Sequence, residues 1–270
     1  MKKFKGIKRI FALALALVTL CASLCGCAEE DVVPLHLDIP DEPANNNNKV
    51  KPTGNAKRVA ITFDDGPHNV RTKQIVDELD KYGYSATFFV VGNRVDGKTY
   101  SGAEAVKYAH SHGNEIAIHG YTHSVYYHNC EEDRYKRELS NTFDAIKDVV
   151  PNAKVRLMRP IGGNITDARV QSCPYSVIMW SVDSEDWKYK GRGENGELAE
   201  QNVNTIVNNV MSKVKSGDII LMHDIYENTY EATKIILKRL HDEGYDVVSV
   251  SELLGNVRAG EKYSRLDSKS

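Results

Sequence analysis

Two adjacent carboxylates, two histidines four residues apart, an arginine and several aspartates beside a third histidine are the parts of this chain that could do chemistry. Asp64 and Asp65 sit side by side in Asp-Asp-Gly-Pro. His119 and His123 have an i, i+4 spacing, which puts both imidazoles on one face if their turn is helical. Two imidazoles and one carboxylate make a three-ligand set with an open position for water or substrate. Nitrogen and oxygen donors suit Zn²⁺ and also Co²⁺, Ni²⁺ or Mn²⁺. The second carboxylate of the pair is then free to take a proton. Adjacent carboxylates repel, and a nearby cation relieves that repulsion. The same residues also favour a turn, and a turn can aim both side chains inward. Arg159, Asp183, Asp186, His223 and Asp224 complete the reactive set.

These residues need elements to carry them. Short apolar runs at 58–63, 86–91, 115–118, 154–158, 176–181, 218–222 and 246–250 read as strands. Helical spacing covers 69–82, 103–112, 131–150, 202–215 and 228–243, with a short weak helix after the fourth strand. Strict alternation of this kind argues for a parallel sheet with crossover helices. The count suits a barrel better than an open sheet but does not alone decide between them. Asp64 and Asp65 follow the first strand, His119 and His123 the third, Arg159 the fourth, Asp183 and Asp186 the fifth, and His223 the sixth. The C-terminal ends of barrel strands are where such folds place active sites.

The chain has 270 residues, 41% hydrophobic and 27% charged, an ordinary soluble composition. That excludes a polytopic membrane protein and a wholly disordered chain. A net charge of −2 offers no basic field for nucleic acid. Residues 1–26 hold Lys2, Lys3, Lys5, Lys8 and Arg9 and no acid, so removing them leaves 30 basic against 37 acidic residues. A basic start, an apolar run at 11–20 and small residues after it form a secretory signal. Its end, Leu24-Cys25-Gly26-Cys27, resembles a bacterial lipobox and makes Cys27 the expected lipidation site. The expected location is then the outer face of the bacterial cytoplasmic membrane, with plain secretion as the alternative. Residues 27–56, with Asn45–Asn48 and four prolines, read as a flexible tether. Residues 57–256 read as the folded domain and 257–270 as a polar, frayed tail.

Five motifs in order resemble the polysaccharide deacetylases of the NodB-homology type, carbohydrate esterase family 4. They are Thr62-Phe63-Asp64-Asp65-Gly66, His119-Gly120-Tyr121-Thr122-His123, Arg159-Pro160-Ile161-Gly162-Gly163, Asp183-Ser184-Glu185-Asp186-Trp187 and Leu221-Met222-His223-Asp224. The resemblance implies a distorted (β/α)7 barrel and one divalent metal, Zn²⁺ first, held by Asp65, His119 and His123. It implies Asp64 as general base paired with Arg159, and His223 as general acid oriented by Asp186. Trp187 and Leu221 would line the acetyl pocket, and a backbone N–H near Gly162 would serve the oxyanion. The implied substrate is an acetylated polysaccharide, peptidoglycan N-acetylglucosamine first. An acetylxylan O-deacetylase and a non-catalytic wall-binding lipoprotein are the alternatives. A monomer is expected.

Two positions depart from the family pattern. Gly120 replaces the usual Ser or Thr, which predicts a looser histidine loop. Ile161 and Gly162 stand where a proline and an aromatic are usual, which predicts an altered groove wall. Tyr121, Tyr126, Tyr127 and Tyr226 are candidates to stack on sugar rings. Cys130 and Cys173 fall toward opposite rims of the barrel, which argues for two free thiols over a bridge.

Overall fold

The computed structural model describes residues 57–97, 102–193 and 198–266. The expected signal, Cys27 and the tether lie outside the described residues. Strand β1 (Lys57–Asp64), helix α1 (Arg71–Lys81), β2 (Thr87–Val90), α2 (Gly92–Val95), α3 (Ala103–Ser111) and β3 (Glu115–Ile118) open the chain. Then come α4 (Glu132–Val149), β4 (Leu157–Met158), α5 (Asp167–Ser172), β5 (Ser176–Ile178) and β6 (Val182–Asp183). The last elements are α6 (Glu200–Met211), β7 (Ile219–His223), α7 (Glu227–Asp242), β8 (Tyr245–Val248), α8 (Val250–Leu254) and β9 (Lys262–Tyr263). The named strands pair in parallel in the order β6-β7-β1-β2-β3-β4-β5-β9, with β8 beside the first half of β1. The architecture is a distorted (β/α)7 barrel.

Burial explains the arrangement. β1 is buried on both faces from Val59 onward, as a central parallel strand must be. Its odd residues Val59, Ile61 and Phe63 join the layer under the helices. Ala60 joins the smaller interior cluster with Phe89, Ala117, Leu157, Ile178 and Ile219. Helices α1, α4 and α7 supply Leu79, Ile146 and Leu237 to the outer layer, all fully buried. Each such side chain contributes about 1.5–3 kcal/mol relative to exposure. Side chains on a strand alternate between faces, so the interior register has a chemical consequence. Counting by twos from Ala60, Ala117, Leu157 and Ile219 reaches Asp64, His119, Arg159 and His223 at the strand ends.

Two expectations about the elements are corrected. The single strand expected at 176–181 is two, β5 and β6, broken at Met179–Ser181. The carbonyls of Ile178 and Met179, where β5 ends, accept hydrogen bonds from the Arg159 guanidinium, both at 3.0 Å. The tail expected to fray instead carries β9, which pairs with β5. Arg265 bridges Asp218 in antiparallel fashion at the start of β7. So short and polar a strand is held by distant partners, which local composition does not encode.

Candidate active site

The inward register delivers a buried ion pair first. Arg159 is fully buried. It donates to Asp64 Oδ1 at 2.8 Å and Thr62 Oγ1 at 2.7 Å, besides the two carbonyls of the strand break. Its guanidinium carbon lies 4.2 Å from the centre of the Phe89 ring. Burial pulls the Arg159 pKa down, against the attraction of Asp64. This leaves Asp64 with one oxygen committed to Arg159 and the other, Oδ2, 3.8 Å from His119 Nε2. A carboxyl so placed is oriented, with one oxygen left open.

Asp65, His119 and His123 come together beside it, their ligand atoms all within 4.8 Å of one another. Asp65 Oδ1 lies 2.7 Å from His123 Nε2 and 3.3 Å from His119 Nε2. It is buried, yet makes no well-directed hydrogen bond. An orphaned buried carboxyl oxygen facing two imidazole nitrogens fits a divalent cation. The tautomer agrees. His119 Nδ1 lies 2.9 Å from the Arg159 carbonyl, which can only accept, so Nδ1 carries a proton and Nε2 is the nitrogen turned toward the cluster. Burial raises the Asp65 pKa, but the close approach of the His119 and His123 imidazoles outweighs it, and the carboxyl is held below its usual range. The i, i+4 spacing is not realised by a helix. Residues 119–123 form a loop, with φ of 100° at Gly120 and 55° at His123. Asp65 is also left-handed, at φ 70°. Among the described residues only three non-glycines have positive φ, and two of them, Asp65 and His123, belong to this cluster.

His223 stands opposite Asp64 in the β1–β7 register. Its Nδ1 lies 2.7 Å from Asp186 Oδ1. Asp186 is fully buried, and its Oδ2 accepts from the His223 amide and from Thr229 Oγ1, both at 2.7 Å. Burial lowers the pKa of His223, but the charge and hydrogen bond of Asp186 more than compensate, and it is pushed up to about 9. Its other nitrogen, Nε2, is therefore protonated at neutral pH.

The sequence profile of the polysaccharide deacetylases matches residues 51–176. A peptidoglycan-N-acetylglucosamine deacetylase of Bacillus cereus is 34% identical over 222 residues, covering 76% of this chain and 96% of that one. The chain belongs to the polysaccharide deacetylase family. The peptidoglycan-N-acetylmuramic acid deacetylase PdaC of Bacillus subtilis is 36% identical over 199 residues, covering 74% of this chain but only 39% of PdaC. A family 4 acetyl xylan esterase from Clostridium thermocellum, in complex with a cobalt ion, superposes with a TM-score of 0.68 at 28% identity, covering 78% of this chain and all of that one.

Within this deacetylase fold, the two departures have structural answers. A Cβ at Gly120 would lie 2.4 Å from Tyr127 Oη, so Tyr127 fills the space a side chain would need. Tyr127 is fully buried and cannot stack on a sugar. Nor is the loop slack: the carbonyls of Gly120 and Tyr121 accept from the amides of Gly92 and Asn93 at 2.9 and 3.0 Å. Gly162, at φ 61°, has Tyr126 against it, 3.3 Å from where a Cβ would stand. Tyr126 is 53% exposed and Trp187 47%, so both present aromatic surface to solvent. Leu221 is buried and pairs in register with Thr62. Asp183 Oδ1 accepts from the Glu185 amide at 2.8 Å, shaping the loop before Asp186. Asp224 is buried behind the Asp-Asp-Gly turn and bonded by Thr72, and burial pushes its pKa up to about 7. Cys130 and Cys173 are both free. Cys130 Sγ lies 3.3 Å from Arg169 Nη1.

Sequence reasoning passed over Glu138. Its side chain meets the histidine loop, accepting from the amides of Tyr121 and Thr122 at 2.7 and 2.8 Å. A signal existed. The buried stripe of α4 is Tyr135, Glu138, Leu139, Thr142, Ala145 and Ile146, and a lone carboxyl on such a stripe needs a buried partner.

Proposed function

We propose that this protein removes acetyl groups from N-acetylglucosamine units of peptidoglycan, exported and lipid-anchored through Cys27. The observation that carries the reading is the placement of the Asp64–Arg159 and His223–Asp186 pairs on adjacent strands beside the Asp65, His119 and His123 cluster. These three residues would hold one divalent cation, Zn²⁺ first. Such a cation supplies Lewis-acid polarisation of an acyl oxygen and acidifies water.

The chain's own groups do the proton work. Asp64 Oδ2 takes the proton of the attacking water while Arg159 keeps the other oxygen occupied. His223 Nε2–H gives its proton to the leaving nitrogen, and Asp186 stabilises the imidazolium until then. The C–N bond breaks, acetic acid and a free amine leave, the acid ionises to acetate, the proton on Asp64 returns to solvent, and His223 is reprotonated from solvent. The Gly162 amide is the backbone donor proposed for the developing oxyanion. Leu221 and Trp187 provide the apolar surface for the acetyl methyl, and Tyr126 gives a second wall for the sugar chain. The acidic mature chain makes charge-driven adhesion to an anionic wall a poor explanation of its location, which favours the lipid anchor.

The test is acetate release by the purified protein from chitooligosaccharides, peptidoglycan and acetylated xylan, after chelation and after adding back Zn²⁺ or Co²⁺. Release from the N-acetyl polymers that needs metal and is lost in Asp64→Ala is the expected result. Release from xylan alone would replace the reading with an O-deacetylase. No release by folded, metal-loaded protein would replace it with a wall-binding role.

A further inference from the structure

His119 and His123 are held very differently. The side chain of His119 is 3% exposed and its Nδ1 is tied to the Arg159 carbonyl. That of His123 is 37% exposed, and it ends a loop with no helical or strand bonding of its own. Its backbone is left-handed, a conformation that costs on the order of 1 kcal/mol and persists only where surroundings impose it. The nearest source of that imposition is two residues upstream. One oxygen of Glu138, Oε2, collects the amides of Tyr121 and Thr122, and the other, Oε1, accepts from Thr122 Oγ1 at 2.7 Å. All three side-chain hydrogen bonds of Glu138 go to this loop. The carboxyl is 5% exposed and rides on the interior face of an 18-residue helix, a rigid support. The loop's carbonyls at Gly120 and Tyr121 are in turn bonded by the first two amides of α2. Two helices thus hold the chain just ahead of His123.

We propose that Glu138 is a positioning residue for the metal site: it sets the 120–123 loop so that His123 Nε2 reaches Asp65 and His119. This rests on the metal-site reading given above. Outer partners of this kind are worth about 10–100-fold in metal affinity. A residue that merely braced the barrel would change melting temperature and leave the affinity of the folded protein alone.

The test is titration of metal-stripped purified protein with Co²⁺, read by its visible absorption band, and with Zn²⁺ by chelator competition. Asp65→Ala is the control without a site. Glu138→Leu is expected to bind about 10–100-fold more weakly than wild type, with a weakened or shifted Co²⁺ band. Glu138→Gln keeps a carbonyl oxygen for the two amides and an NH₂ that Thr122 Oγ1 can accept from. It is expected to recover affinity to within about threefold of wild type, since all three bonds can be kept and only their charge assistance is lost. Circular dichroism and metal-free melting establish that each variant is folded. Should Glu138→Leu not fold, Thr122→Val removes one of the three bonds and is expected to weaken Co²⁺ by about threefold. Folded Glu138→Leu with the wild-type Co²⁺ affinity and band would overturn the positioning role, as would Glu138→Gln binding no better than Glu138→Leu. Wild type binding Co²⁺ no better than Asp65→Ala would instead remove the metal site itself, and this role with it.

Discussion

Replacing Asp186 by Asn tests the acid half of the proposed chemistry most directly. Asp186 is fully buried and bonds His223 through both oxygens. The Asn side chain can keep the two bonds of Oδ2 with its own carbonyl, which turns its NH₂ toward His223 Nδ1. The imidazole must then accept at Nδ1, and the imidazolium is disfavoured. Raising His223 from 6.5 to about 9 corresponds to about 3 kcal/mol in favour of the charged form. Because the folded pKa lies above the unfolded one, that stabilisation is complete below about pH 6.5 and is lost as pH rises through about 9. The stability gap between wild type and Asp186→Asn should therefore be widest near pH 6, at about 3 kcal/mol, and close above pH 9. Catalysis should follow the same group. Asp65 and Asp64 add smaller pulls on His223, which a bound cation would offset, so the alkaline limb of wild-type kcat is expected at or slightly below pH 9. In Asp186→Asn it should fall below about pH 7, with kcat at pH 8 reduced by about 10²–10⁴. The assays are acetate release from a chitooligosaccharide across pH 5.5–10 with saturating metal, and urea melts at the same pH values. A folded variant that keeps the wild-type alkaline limb would refute the assignment of His223 as the acid.

Three further outcomes are expected. Asp64→Asn should lower kcat by about 10²–10⁴ while Co²⁺ affinity, measured by titration, stays within about threefold, because Asp64 is outside the ligand trio. Arg159→Met should cost about 3–5 kcal/mol in urea melts, since it leaves the buried Asp64 without its counter-charge; a loss below 1 kcal/mol would show that the site relaxes around an unpaired carboxyl. Tyr126→Ala should raise KM for a chitopentaose by a few-fold to about tenfold with kcat unchanged, and an unchanged KM would remove Tyr126 from the groove.

The site was legible in the sequence where chemistry and strand register coincide. Asp64, His119, Arg159 and His223 each stand two or four residues beyond an interior residue of an apolar run, so naming the strands was nearly enough to name the candidate site. What could not be read was whatever depends on contact between distant segments. At the break between β5 and β6 the Arg159 guanidinium bonds two carbonyls, and nothing local to residues 176–183 announces that partner. β9 owes its existence to β5. The histidine spacing suggested a helix, whereas the loop is set by Gly120, by the Tyr127 hydroxyl beside it and by Glu138, none of which is a ligand.

The positive φ values tie these points together. Asp65 and His123 are both left-handed, and Asp and His tolerate that region better than most side chains. Left to local preference, each would relax toward an ordinary backbone and swing its ligand atom away. The structure opposes this from outside the cluster: Arg94 Nη1 holds the Asp65 carbonyl at 2.8 Å, and Glu138 holds the amides before His123. A cation binding here would meet ligands whose strain is already borne by the fold, so less of its binding energy would go into ordering them. Metal affinity is then expected to depend on Arg94 and Glu138 as well as on the three proposed ligands, with the ligands themselves weighing most.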